Sequence, residues 1–224
     1  MLKLHGFPVS NYTNMVEFAL LEKGLPYEYV LTIPDQSEAF LGKSPRGKVP
    51  FLATPQGTIN ETDAILDYLE ERGEGRALLP RDPYERAYVR SLMKELELYV
   101  ELPARSCFAE AFFGGKLPDP IKAKAADELN LGFATLGRHG RFAPWLAGAE
   151  FTLADVVFAY SADLANTVSK QLFGIDHLAR LPAAAALMQR LTENAHYRAI
   201  AARRDAGLPT FIATMQARLA AARA

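Results

Sequence analysis

The chain has 224 residues, half of them hydrophobic and 23% charged, with a formal net charge of −1. This is ordinary globular composition, and without a basic surplus it argues against nucleic acid or an anionic membrane as a partner. A single cysteine, Cys107, rules out an internal disulfide and a cysteine-rich metal site and fits a reducing compartment. The N-terminal MLKLHGFPVS lacks the basic start and long apolar run of a secretory signal, and no apolar stretch reaches the length of a membrane span. The expected location is the cytoplasm.

In chain order, Leu2-Lys3-Leu4-His5-Gly6 alternates apolar and polar residues and predicts a short strand. Tyr12 to Lys23 predicts a helix, with Gly24 placed to cap its end and Pro26 to prevent continuation. Tyr27 to Ile33, rich in aromatic and β-branched residues, predicts a strand. Gln36 to Gly42 suits one or two helical turns. Val49 to Ala53 and Thr58 to Asn60, joined by Pro55-Gln56-Gly57, predict a hairpin, and Thr62 to Glu71 an amphipathic helix. The order β-α-β-α-β-β-α defines a small α/β domain over residues 1–75. Arg72 to Pro83, rich in Gly, Pro and charge, reads as a linker.

From residue 84 to 224 the pattern is helical throughout. Tyr84, Tyr88, Leu92 and Tyr99 form one apolar stripe and Val89, Met93, Leu96 and Val100 a second. A helix with two apolar faces has two surfaces to cover, one by its own core and the other by a partner subunit. The Ala-rich end, Ala213 to Ala224, predicts a terminal helix that frays. His5, His139, His177 and His196 are scattered without ligand spacing, so no metal is expected.

Four segments carry a family resemblance. The first is Phe7-Pro8-Val9-Ser10 leading into a helix that ends Leu21-Glu22-Lys23-Gly24-Leu25-Pro26. The second is Ser44-Pro45-Arg46-Gly47-Lys48-Val49-Pro50-Phe51, and the third Asn60-Glu61-Thr62-Asp63-Ala64-Ile65. The fourth is Trp145-Leu146-Ala147-Gly148 with Phe151-Thr152-Leu153-Ala154-Asp155. In this order and spacing they resemble the glutathione transferase family, in a cytosolic, bacterial-looking form. The resemblance implies a thioredoxin-like N-terminal domain, an all-helical C-terminal domain contributing the acceptor-substrate site, a homodimer, and glutathione as co-substrate. It also implies a cis Val49-Pro50 bond that turns the polar groups of Val49 toward the ligand.

Glutathione is an extended peptide, and such a peptide is best held by adding to the edge of a strand. Thr62, just before an apolar-periodic run, is a natural N-cap, and a helix N-terminus suits a carboxylate. Glu61 can pair with the γ-glutamyl ammonium, and Lys48 can reach the glycine carboxylate. Thr152-x-x-Asp155 is a capping-box pattern, which makes Asp155 structural.

The implied chemistry is attack by the glutathione thiolate on an electrophilic carbon. A thiol near its reference pKa of about 8.5 is only a few per cent thiolate at neutral pH, and a hydroxyl that donates to sulfur favours the charged form. Ser10 lies fourteen residues before Gly24, the spacing of serine-dependent members resembling the theta and zeta classes, and is the candidate donor. Tyr12 is the alternative, and Asn11 and Thr13 are further polar candidates. The segment Val9 to Asn14 holds no cysteine, which argues against a thiol–disulfide reductase. Cys107 reads as a small core residue. Phe7, Pro8, Tyr12, Phe108 and Phe112 are acceptor-site candidates, and they imply small, largely apolar electrophiles. Two further readings stay open. One is a glutathione-dependent isomerase or dehalogenase, and the other a non-catalytic regulatory protein that kept this fold.

Overall fold

Alternation places Leu2 and Leu4 on the buried face of strand β1 (Leu2–Gly6), with Lys3 exposed between them. In this computed structural model, which describes residues 1–221, β1 leads into helix α1 (Asn11–Lys23), β2 (Tyr27–Leu31) and the short α2 (Glu38–Leu41). The hairpin β3 (Phe51–Thr54)–β4 (Gly57–Asn60) and α3 (Thr62–Glu71) follow. The sheet order is β2-β1-β3-β4, with β1 and β2 parallel and the other pairs antiparallel. Val16 and Leu20 of α1 and Ile65 and Leu69 of α3 bury against Leu2, Leu4 and Leu52 of the sheet. This is a thioredoxin-like α/β region, and among the described residues every named element after it is helical.

Two local devices seat α1. Gly24 takes φ 68°, and its N–H closes on the last turn of the helix, as a C-capping glycine does. At the other end a Cβ on Gly6 would lie 2.2 Å from the Thr13 side chain, so β1 and α1 approach closely only because residue 6 is glycine. The end of α1 is tied down by a buried ion pair: Lys23 Nζ donates to Glu70 Oε1 at 2.6 Å and to the Arg76 carbonyl at 2.8 Å.

By contacts the chain divides into two compact units, Met1–Leu79 with Ala195–Asp205, and Pro80–Asn194 with Ala206–Ala224. The second unit opens with α4 (Pro83–Glu95), whose N-cap Asp82 accepts from Glu85 N–H at 3.0 Å. A six-residue π-helical turn, Leu96–Glu101, continues into α5 (Leu102–Ser106) and α6 (Phe108–Ala111). The helices α7 (Asp119–His139), α8 (Leu153–Phe173), α9 (His177–Arg180), α10 (Pro182–Thr192) and α11 (Ala195–Ala221) follow. Helix α8 is the core element, buried from Leu153 through Ala162. Among the described residues no helix is long and apolar enough to cross a membrane. Of the expected fraying end, residues 222–224 lie outside the described residues.

The fourth sequence motif is a single hydrogen-bonded assembly. Asp155 takes the Leu146 N–H on Oδ1 and the Thr152 N–H on Oδ2, both at 2.8 Å, while Thr152 Oγ1 accepts from Ala154 N–H. Burial pushes the Asp155 carboxyl up to about 6, against the pull of these donors. Its role is structural. Cys107 is fully buried, and burial raises its thiol pKa.

Two expectations need correction. Thr62 is the first residue of α3 rather than its cap. Glu61 occupies the cap position with φ 67° and makes no side-chain capping bond. The first of the paired stripes also does not hold as one face, while the second does. Val89, Leu92, Met93, Leu96 and Val100 are buried, whereas Tyr84 and Tyr99 are exposed and Tyr88 is half-buried. The split already lies within regular α4, where Leu92 turns inward with Val89 and Met93 while Tyr84 faces outward.

Candidate active site

The register of the sheet determines where the sequence motifs meet. His5 pairs with Phe51, and Phe51 pairs with Asn60. Because β3 runs antiparallel to both neighbours, three segments leave the sheet at the same end. They are the segment after β1 (Phe7–Ser10), the one before β3 (Lys48–Pro50) and the one after β4 (Glu61–Thr62). Motifs separated by some fifty residues of chain thereby converge on one edge of the α/β unit.

At the first of these segments the chain turns tightly, with Ser10 N–H donating to the Phe7 carbonyl at 2.9 Å. Ser10 is the N-cap of α1, at φ −75° and ψ 109°, and its buried Oγ accepts from Thr13 N–H at 3.3 Å. That bond uses an oxygen lone pair and leaves the hydroxyl proton for another acceptor. Asn14, fully buried, donates through Nδ2 to the Pro8 carbonyl at 3.0 Å. Phe7, Pro8 and Tyr12 are half-buried.

The second segment is organised from within. Ser44 Oγ donates to the Lys48 carbonyl at 2.8 Å and accepts from Lys48 N–H at 3.1 Å, closing the loop on itself. Gly47 takes φ 61°, and a Cβ there would lie 2.4 Å from the Asp35 carbonyl oxygen. Asp35 in turn accepts from Gln36 N–H, Ser37 N–H and the Ser37 hydroxyl. The Ser37 hydroxyl, followed by these backbone donors, holds its carboxyl below the usual range. The Val49-Pro50 bond is cis, and Val49 lies just outside the β-ladder that begins at Phe51. Lys43, Arg46 and Lys48 are exposed on this loop, a local excess of positive charge.

The third segment carries the most unusual backbone. Glu61, exposed, holds a positive φ that non-glycine residues adopt rarely and that costs of order 1–3 kcal/mol, a feature concentrated at functional sites. Thr62 follows at the first position of α3, where free N–H groups favour a carboxylate.

Behind the edge, the His5 ring stacks on Phe51 at 4.2 Å between centroids and 12° between planes, and Phe40 of α2 meets Phe51 edge-on at 5.8 Å. Burial, then the Lys43 and Lys3 cations, lower the His5 pKa, favouring a neutral ring. His5 Nδ1 lies 3.1 Å from Thr32 Oγ1. Sequence reasoning assigned no role to His5 or Asn14. For Asn14 a signal existed: an asparagine inside a helix is a poor helix former unless its amide is used.

Phe108 and Phe112 lie in the second unit, half-buried, with centroids 5.3 Å apart. They continue through Phe113 to Phe211 as an aromatic row with spacings of 6.2 and 6.1 Å. Among the described residues no group of three or more His, Cys, Asp or Glu is placed to hold a metal ion.

A hydroxyl at a helix cap, a loop before β3 and a helix N-terminus thus meet at one end of the sheet, and similarity to known proteins identifies the family. The model of the glutathione S-transferase N-terminal domain matches residues 4–77. Over 212 residues the chain is 56% identical to a glutathione S-transferase of Pseudomonas putida, covering 95% of this chain and 96% of that one. The chain belongs to the glutathione S-transferase family. A glutathione S-transferase of Methylobacterium radiotolerans, solved in complex with glutathione sulfonate, matches at 28% identity with a TM-score of 0.69, covering 88% of this chain and 92% of that one. A maleylacetoacetate isomerase of Methylobacterium extorquens, solved with malonate and glutathione, matches at 27% identity with a TM-score of 0.71, covering 90% and 97%. The glutathione S-transferase reading makes this chain an enzyme, with glutathione as the family's co-substrate.

Proposed function

We propose that the enzyme conjugates the glutathione thiolate to small, largely apolar electrophiles, using a serine-type site of the theta/zeta kind. The observation that carries the reading is the His5–Phe51–Asn60 row, which brings Ser10, the Lys48–Pro50 loop and Glu61–Thr62 to one edge. In this reading the Ser10 hydroxyl donates to the sulfur. Val49 and Pro50 meet the peptide backbone, Glu61 takes the γ-glutamyl ammonium, Thr62 with the α3 N-terminus takes the α-carboxylate, and Lys48 takes the glycine carboxylate. The acceptor role belongs to the same proposal, for Phe7, Pro8 and Tyr12 in the first unit and for the aromatic row of Phe108 and Phe112 in the second. The α/β domain of residues 1–75 is the proposed glutathione-binding region, and the helical domain of residues 84–224 the proposed source of acceptor contacts.

The experiment is binding to immobilised glutathione followed by calorimetry and a chromogenic-electrophile assay. Glu61→Ala should weaken glutathione by about 2–5 kcal/mol, the loss for one partner of a desolvated charged pair. An unchanged dissociation constant would remove Glu61 from the site.

A glutathione-dependent isomerase is the second reading, motivated by the structural likeness to the maleylacetoacetate isomerase. It needs the same first site and is distinguished by turnover of a cis-alkene diacid without consumption of glutathione.

A homodimer completes the proposal. Tyr84, Leu98, Tyr99 and Leu102 expose 72%, 46%, 50% and 43% of their surface along α4, the π-helical turn and α5, an apolar strip suited to a second copy. Light scattering should give twice the chain mass of 24.7 kDa. A monomer at every concentration would sink this part of the proposal.

A further inference from the structure

Asn14 is fully buried within α1, where asparagine is disfavoured and where a leucine or methionine would pack without polar cost. Its side chain makes no local capping bond. Instead Nδ2 reaches back six residues to the Pro8 carbonyl, at 3.0 Å, while its backbone N–H donates to the Ser10 carbonyl, also at 3.0 Å. Pro8 and Val9 are the central residues of the turn closed by Ser10 N–H on the Phe7 carbonyl. Asn14 therefore grips the chain on Ser10 itself and two residues before it. Its neighbour Thr13 completes the grip, with its N–H on Ser10 Oγ and its side chain packed against Gly6.

The second carboxamide atom, Asn14 Oδ1, is buried and has no hydrogen-bond partner among the described residues. A buried acceptor without a partner costs free energy that an apolar residue would avoid. The unpaired Oδ1 offsets what the Nδ2 bond to Pro8 contributes, so stability is a weak reason to keep an amide here. The one thing the amide does is fix the Phe7–Ser10 turn.

We propose that Asn14 is a positioning residue for thiol activation: by holding the Pro8 carbonyl it keeps Ser10 in the orientation where its oxygen takes the Thr13 N–H and its proton is left for the glutathione sulfur. The inference rests on the reading of Ser10 as the hydroxyl donor. Asn14 touches neither substrate nor sulfur in this scheme. Its effect passes through Ser10.

Asn14→Leu tests it, since leucine matches the buried volume, removes the unpaired Oδ1 and releases the Pro8 carbonyl. Asn14→Ala serves as the second variant if leucine does not fold. The readout is the pKa of bound glutathione, followed by thiolate ultraviolet absorbance against pH, with glutathione affinity and melting temperature measured alongside. We expect wild-type affinity, a melting temperature little changed for the leucine variant because losing the Pro8 bond offsets removing the unpaired Oδ1, and a thiol pKa raised by about one unit, a tenfold loss of thiolate in the rising limb. The double variant Ser10→Ala/Asn14→Leu should show the Ser10→Ala shift and no more, because both act on one hydrogen bond. An unshifted thiol pKa in Asn14→Leu or Asn14→Ala, with a clear shift in Ser10→Ala, overturns the role of Asn14 and leaves Ser10 standing. Additive shifts in the double variant overturn it as well, since Asn14 would then reach the sulfur by another route. No shift in Ser10→Ala removes the hydroxyl reading itself, and the inference with it.

Discussion

Lys23→Met should lower the stability of the folded chain by about 3–5 kcal/mol, the range for removing one partner of a buried ion pair. Lys23 and Glu70 have side chains 2% and 4% exposed, and their atoms meet at 2.6 Å. Glu70 also accepts from the N–H groups of Leu78 and Leu79, at 3.0 and 3.1 Å, while Lys23 Nζ donates to the Arg76 carbonyl. One pair thus ties the end of α1, the end of α3 and the segment leading out of the α/β unit. Methionine fills the space but leaves the Glu70 carboxylate buried with two neutral donors. The loss is read as a lower urea midpoint at unchanged slope, followed by circular dichroism. Adding Glu70→Gln should recover part of it, because the amide is uncharged and its oxygen still accepts a backbone N–H. A single-variant loss below about 1 kcal/mol, the worth of a surface pair, would mean that water reaches this site.

That pair also shows why part of the structure was illegible. Glu70-Glu71 looks like the solvated end of an amphipathic helix, and Lys23 like the basic last turn that complements a helix dipole. Their partnership spans forty-seven residues of sequence and exists only once α1 and α3 pack side by side. The same holds for Glu17, whose carboxylate takes the Tyr27 hydroxyl at 2.7 Å and pairs with Arg203 of α11. Nothing near Glu17 in the chain announces either contact. By contrast β1, α1 and the Gly24 cap are local events, set by alternation, period and one glycine, and each lies where the pattern places it.

Between these extremes lie residues whose chemistry was legible but whose geometry was not. Ser10 reads as a hydroxyl before a helix, yet its alignment with the Lys48–Pro50 loop and with Glu61 follows from strand register, which is a long-range pairing. Thr62 has the right chemistry for a cap. The backbone of Glu61 instead adopts φ 67°, which shifts the cap position back by one residue. On α4 the period placed Val89, Met93, Leu96 and Val100 on one buried face, but it could not show that Leu92 joins them while Tyr84 and Tyr99 stay exposed. Asn14 was visible only as an oddity of composition inside a helix.

Ser10→Ala should raise the pKa of the bound thiol by about one to two units, because a hydrogen bond to a charged group contributes roughly 1.5–3 kcal/mol and a pKa unit is about 1.36 kcal/mol. The sign follows from the donor: the hydroxyl proton stabilises thiolate over thiol, so its loss makes the proton harder to remove. The pH–rate profile moves to higher pH, and with the thiol returned to about 8.5, turnover at neutral pH falls by about 8- to 25-fold while saturation at high pH is retained. The same substitution removes a helix cap, since Ser10 Oγ accepts the Thr13 N–H, and should cost about 0.5–2 kcal/mol of stability. Ser10→Gly separates the two roles. Glycine at an N-cap costs only a few tenths of a kcal/mol, yet it lacks the hydroxyl as completely as alanine does. Equal thiol shifts in the two variants with unequal melting temperatures assign activation to the hydroxyl and stability to the cap. Tyr12→Phe, made in parallel, should alter acceptor preference and leave the thiol pKa in place. A pKa raised in the phenylalanine variant and unmoved in both Ser10 variants would make Tyr12 the donor and reduce Ser10 to its cap.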